Sequence, residues 1–104
     1  MKKILLICDM GMSTSLVVKR MQEAAQAEGI EAVIEAKGSQ DFDDCAAEFD
    51  CYLLAPQISY KLADFQAVAN SHQRPIALIN MMDYGMTDGK KILAQAMSLM
   101  AQVA

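Results

Sequence analysis

The run Lys3-Ile4-Leu5-Leu6-Ile7 has the apolar, β-branched character of a strand, and it ends abruptly at Cys8, followed by Asp9-Met10-Gly11-Met12 and a Ser13-Thr14-Ser15 cluster that opens a helical pattern. A strand that stops at a thiol and turns through a glycine into a helix start aims several backbone N–H groups at one point beside the sulfur. Those donors favour a thiolate, and they would equally hold the oxygens of a phosphoryl group attached to it. Gly11 lets the backbone turn where a side chain would obstruct it. The hydroxyls of Ser13, Thr14 and Ser15 can donate to a phosphate oxygen, although helix capping alone accounts equally well for any one of them. A strand-terminal cysteine is, by itself, more often a small buried hydrophobe than a nucleophile.

Beyond this turn, short β-rich runs alternate with longer amphipathic stretches, the pattern of βαβ units. Leu16, Val17, Met21, Ala24 and Ala25 recur at helical spacing from Ser13 to about Glu28, where Gly29 ends the pattern. Strands are expected at Ile30–Ala36, at Asp50–Ala55 before Pro56, and at Pro75–Ile79. Gly38–Ala47 reads as a loop with a short helix, Ile58–Ala69 as a helix, Asn80–Thr87 as a long connection, and Asp88 as the cap of a last helix to about Gln102. Helix-bridged strands are parallel, so the expected fold is α/β: a four-stranded parallel sheet, order 2-1-3-4, doubly wound with helices on both faces. In that order a crevice opens at the carboxyl ends of strands one and three. Cys8 falls there, with Ala55-Pro56-Gln57 as the other lip and the loop through Met81 to Gly85 within reach of the same edge.

A chain of 104 residues that is 54% hydrophobic suits one domain, residues 1–104, able to fold without covalent staples. Cys8, Cys45 and Cys51 form no C-x-x-C pair and are odd in number, which argues for reduced thiols in the cytoplasm. Met1-Lys2-Lys3 before the first apolar run is too short for an export signal, and no stretch approaches the length of a membrane span. With nine basic and thirteen acidic residues the net charge is -4, and no basic cluster offers a footprint for nucleic acid. His72 alone cannot make a metal shell, so no metal or other cofactor is expected. Asp41, Asp43, Asp44 and Glu48 read as a solvated acidic face, and Cys51, Met97 and Met100 as packing residues.

Three segments resemble the lactose/cellobiose-type enzyme IIB proteins of the bacterial sugar phosphotransferase system. Cys8 with Gly11-Met12-Ser13-Thr14-Ser15 matches the phosphorylation loop of that family. Pro56-Gln57-Ile58-Ser59-Tyr60 resembles its Pro-Gln-Ile-Ala-Tyr segment, and Tyr84-Gly85 with Asp88-Gly89 resembles the pattern before its last helix. The resemblance implies the same four-stranded sheet and a phosphotransferase role. Cys8 would accept phosphate from the phosphohistidine of a IIA protein and pass it to a sugar held by a membrane IIC permease, with residues 9–15 cradling the phosphate. It also implies a cytoplasmic protein transiently associated with the membrane through IIC, acting on a β-linked disaccharide such as cellobiose, chitobiose or lactose.

Asp9 departs from the small or neutral residues that the family places after the cysteine. A carboxylate beside a thiolate is repelled unless it turns to solvent or accepts local N–H bonds, the orientation expected here. Met10 and Met12 flank the loop, and Met81, Met82 and Met86 fall in the connection that shares its rim. Their flexible thioethers suit a surface that docks different partners, with Pro56, Gln57, Tyr60 and Tyr84 beside them. A low-molecular-weight phosphatase would need an arginine where this chain has Thr14, because hydrolysis at such a loop uses a bidentate clamp on the phosphate. A non-enzymatic flavodoxin-like binding module is the alternative from another class.

Overall fold

The computed structural model describes residues 2–9 and 15–102. Four strands, β1 (Lys2–Cys8), β2 (Ala32–Gly38), β3 (Cys51–Leu54) and β4 (Ile76–Leu78), form one all-parallel sheet in the order β2-β1-β3-β4. The expected topology is therefore the observed one. Helices α1 (Ser15–Ala27) and α5 (Gly89–Ala101) pack on one face; α2 (Phe42–Cys45) and α3 (Leu62–Ser71) pack on the other. One-turn helix α4 (Met81–Gly85) links β4 to α5.

Burial on both faces explains the continuous apolar run of β1. Ile4 and Leu6 point into the α1/α5 layer beside Met21, Ile92 and Leu93, whereas Leu5 and Ile7 point into the α2/α3 layer beside Phe42, Tyr52 and Ile58. Strand β3 divides the same way, with Cys51 and Leu53 on the first side and Tyr52 and Leu54 on the second. In the second layer Phe42 meets Tyr52 and Phe65 edge-on, at centroid distances of 4.8 and 5.0 Å. The buried Tyr52 hydroxyl donates to the Ala46 carbonyl, so the ring keeps its polar tip satisfied.

Several boundaries differ from those the sequence suggests, each for a local reason. Gly29 does end α1, with φ 70°, and the Ile30 N–H closes the helix on the Ala25 carbonyl at 2.8 Å. That closure occupies Ile30, so β2 starts two residues later than expected, at Ala32. The helix expected from Ile58 begins as 3-10 turns over Pro56–Lys61, kinked at Ile58 (φ -117°, ψ 28°), and becomes α-helical only at Leu62. The connection after β4 is not irregular. Asn80 accepts from the Asp83 N–H at 3.1 Å and so caps α4.

The α1/α5 pair crosses at a backbone contact. Gly89 is buried, and a Cβ built there would overlap the backbone carbonyl group of Arg20. Glycine is therefore required by close approach rather than by an unusual backbone conformation. Asp88 caps the helix directly before it, accepting from the Lys91 N–H at 3.1 Å. Gly89→Ala is expected to cost about 1–3 kcal/mol through forced separation of the two helices, measured as a lower midpoint in urea unfolding, whereas Gly85→Ala, with no atom near its Cβ, should leave the midpoint nearly unchanged.

Candidate functional site

The sheet order makes the carboxyl edge of β1 the place to look. Strand β1 pairs with β2 on one side and β3 on the other, and the helices that follow β1 and β3 depart to opposite faces. Cys8, the last residue of β1, lies opposite Gly38, and beside it the Ala55 N–H donates to the Ile7 carbonyl at 2.8 Å. Cys8 is fully buried, among Leu5, Ile7, Tyr52 and Leu54 on the α2/α3 side. Asp9 is exposed, as expected for a carboxylate that must keep clear of a thiolate. Met10, Gly11, Met12, Ser13 and Thr14 lie outside the described residues; Ser15 is the exposed first residue of α1.

The other predicted residues gather on the same edge. Pro56 and Gln57 follow β3 directly, and buried Ile58 anchors that segment in the core while Tyr60 stands 75% exposed. Met81 and Met82 in α4 are 76% and 73% exposed. Gln57 Nε2 approaches the Tyr84 hydroxyl at 3.4 Å, joining the lip after β3 to the lip after β4. Tyr84 is half-buried and packs against both core layers, which fixes α4 over the end of the sheet.

Exposure adds residues that sequence reasoning missed. Leu16, placed by periodicity on the core face of α1, is 50% exposed, whereas its neighbour Val17 is the first-turn residue that packs into the core. Leu78 is also exposed, and so is Met86, which the sequence places on the rim with Met81 and Met82. Among the described residues, the large exposed hydrophobics are Leu16, Tyr60, Leu78, Met81, Met82 and Met86. Every one lies at, or on a connection leaving, the carboxyl end of a strand. Only the identity of the turn residues, not their period, could have signalled this.

Other chemistry is accounted for. Cys45 and Cys51 are buried thiols. Burial pushes the Cys51 thiol from its ordinary 9.0 up to about 12, with the Asp50 carboxylate adding to the shift. Burial also raises Cys45, partly opposed by Lys37, and raises Tyr52, partly opposed by Arg74. Neither cysteine offers a thiolate near neutrality, in keeping with packing roles. Asp41, Asp43, Asp44 and Glu48 are all exposed, as an acidic solvated face requires. Met97 and Met100 pack against the α1/α5 layer but are only partly buried. Among the described residues no group of three His, Cys, Asp or Glu is placed to hold a metal.

The raised Cys51 thiol makes a pH prediction. The folded chain keeps a proton that the unfolded chain releases above its ordinary value, so this contribution is complete below pH 9.0 and is lost as pH climbs toward about 12. Urea unfolding of wild type and Cys51→Ala between pH 7 and pH 11 should show the wild type losing stability more steeply above pH 9. Parallel curves would contradict the assignment.

Comparison with known proteins agrees with this geometry. The family described as PTS system, lactose/cellobiose-specific IIB subunit, matches residues 3–95. The chain is 46% identical over 100 residues to an oligo-beta-mannoside-specific EIIB component of Bacillus subtilis, covering 96% of this chain and 97% of that one. It is 40% identical over 104 residues to a galactose-specific and to a cellobiose-specific EIIB component of Lactococcus lactis, each time covering 95% of this chain and 96% of the relative. Among solved structures, a cellobiose-specific IIB component from Borrelia burgdorferi superposes with TM-score 0.83 at 34% identity, covering 99% of this chain and 94% of that one. A lactose-specific IIB domain from Streptococcus pneumoniae, at 18% identity and TM-score 0.85 over 94% of this chain and 96% of its own, shares the fold.

Proposed function

Since this chain belongs to the lactose/cellobiose-specific IIB subunit family of the phosphotransferase system, whose members are phosphotransferases, we propose that Cys8 is its phosphoryl carrier. In this reading the Cys8 thiolate attacks the phosphorus of a phosphohistidine on a IIA protein, in line with the P–N bond. A P–S bond forms as that bond breaks, and the imidazole leaves with its electron pair. In the second transfer a hydroxyl oxygen of the sugar, bound by a membrane IIC permease, attacks phosphorus. A P–O bond forms as the P–S bond breaks, the sulfur leaves with its electron pair as the thiolate, and the hydroxyl proton passes to a base on the permease or to solvent. The donor is already activated, so this chain supplies position and charge stabilisation rather than an acid or a metal. Residues 9–15 serve as the phosphate cradle, with Gly11 and the backbone amides of Met10 and Met12 to Ser15 holding the oxygens and Asp9 turned to solvent.

The observation that carries the proposal is the coincidence of two features on one edge. The switch-point cysteine and the large apolar exposure of the described chain both lie at the carboxyl ends of the strands. A carrier must present its loaded residue inside a surface that fits a donor and an acceptor in turn. Pro56, Gln57, Tyr60, Met81, Met82 and Tyr84 form that docking surface. The chain acts as a single phosphocarrier domain, residues 1–104, in the cytoplasm, and it meets the membrane only through the permease. Among the described residues no helix is long and apolar enough to cross a bilayer. The relatives named for oligo-beta-mannoside and cellobiose support a β-linked disaccharide as cargo.

Incubation with phosphoenolpyruvate, the general phosphotransferase proteins and a IIA partner should add one phosphate to the peptide containing Cys8. Cys8→Ser should abolish the adduct, and an adduct elsewhere or none at all would favour a binding module. Met81→Ala with Met82→Ala should raise KM for phosphorylated IIA several-fold through lost apolar contact, with kcat nearly unchanged in a stopped-time transfer assay. Asp9→Asn should change the transfer rate by no more than about threefold, because an exposed carboxylate is screened.

A further inference from the structure

Strand β4 is an edge strand, and two outward backbone groups at its carboxyl end are occupied by a side chain. The Ile79 N–H donates inward to the Leu54 carbonyl at 2.9 Å, so the peptide groups of Leu78 and Asn80, one residue either side, face away from the sheet. The carboxamide of Gln95, reaching down from α5, meets both. Its Nε2 donates to the Leu78 carbonyl at 2.6 Å, and its Oε1 accepts from the Asn80 N–H at 3.2 Å. One residue of a fifth parallel strand would make the same two bonds, so Gln95 stands in for that residue and covers the edge at its carboxyl end.

The groups it holds are the hinge of α4. Asn80 caps that helix through the Asp83 N–H at 3.1 Å, its carbonyl takes the Tyr84 N–H at 2.9 Å, and the next two residues are the exposed Met81 and Met82. We propose that Gln95 is a positioning residue for partner docking: it ties the β4–α4 junction to α5 and thereby sets the angle at which α4 presents its methionines. A five-residue helix holds too few internal hydrogen bonds to keep its own orientation; Tyr84 pins its far end to the core, and the anchor at its start sets the remaining angle. The inference rests on the docking role assigned above to Met81 and Met82.

The test uses the full chain and its phosphorylated IIA partner. Gln95→Glu keeps the size and the acceptor but loses the donor and sets a carboxylate against the Leu78 carbonyl, and Gln95→Leu removes both bonds. Each variant should speed amide exchange at residues 80–86 relative to wild type. Each should also raise KM for the phosphorylated partner roughly three- to tenfold, as expected for the loss of one or two such bonds, with kcat unchanged. A merely destabilised protein would instead lose active fraction and exchange faster throughout. Asn80→Ala should raise KM in the same direction, and combining it with Gln95→Leu should add less than the sum of the two effects, since both loosen one junction. Unchanged exchange at 80–86, unchanged KM, or full additivity would each overturn the inference. A wild-type chain that takes no phosphate sinks the preceding reading and this one together; a phosphorylated wild type beside an indifferent Gln95 variant sinks this one alone.

Discussion

The pairing of β1 with two parallel neighbours is the constraint on which the rest depends. A strand bonded along both edges and covered on both faces has no exposed side, and its residues Ile4 to Cys8 are accordingly all fully buried. Its carboxyl end is where the chain must emerge, between helical layers that depart in opposite directions. Placing a cysteine at that point fixes its location by the most over-determined element in the molecule. The buried packing of β1 fixes the point at which the sulfur sits at the end of the sheet.

Helix pairing on the α1/α5 side extends that rigidity. The contact between Gly89 and the Arg20 backbone brings the two helices closer than side chains would allow. The α2/α3 side is built differently, from one-turn α2, the longer α3, three 3-10 segments and aromatic rings gathered around Phe42. The sheet thus separates a layer of close backbone packing from a layer of bulky side chains. The lips of the crevice are rooted differently: the segment after β3 in the α2/α3 layer alone, through Ile58, and α4 in both layers, through Tyr84.

Much of this was legible in the sequence because periodicity and punctuation report burial. The apolar runs marked β1 and β3, Gly29 and Asp88 marked helix ends, and parallel crossovers then left few topologies. What escaped was set by single tertiary contacts. Leu16 obeys the helical period yet leaves the core contact to Val17; Asn80 turns a supposed loop into a capped helical turn; Gln95 looks like any polar helix residue until the open edge beside it is seen. The identity of the site owed more to the resemblance of three segments than to any one residue, since a cysteine at a strand end is chemically ambiguous and Met10 to Thr14 lie outside the described residues.

Among the described residues the large apolar exposure is confined to one end of the sheet, which also limits traffic. The molecule measures 33 × 28 × 20 Å, and a stable protein contact occupies about 800 Å² on each side. One visitor of that size fills the face around Cys8. Two bodies that both need this face must therefore take turns, and occupancy by one is competitive inhibition of the other.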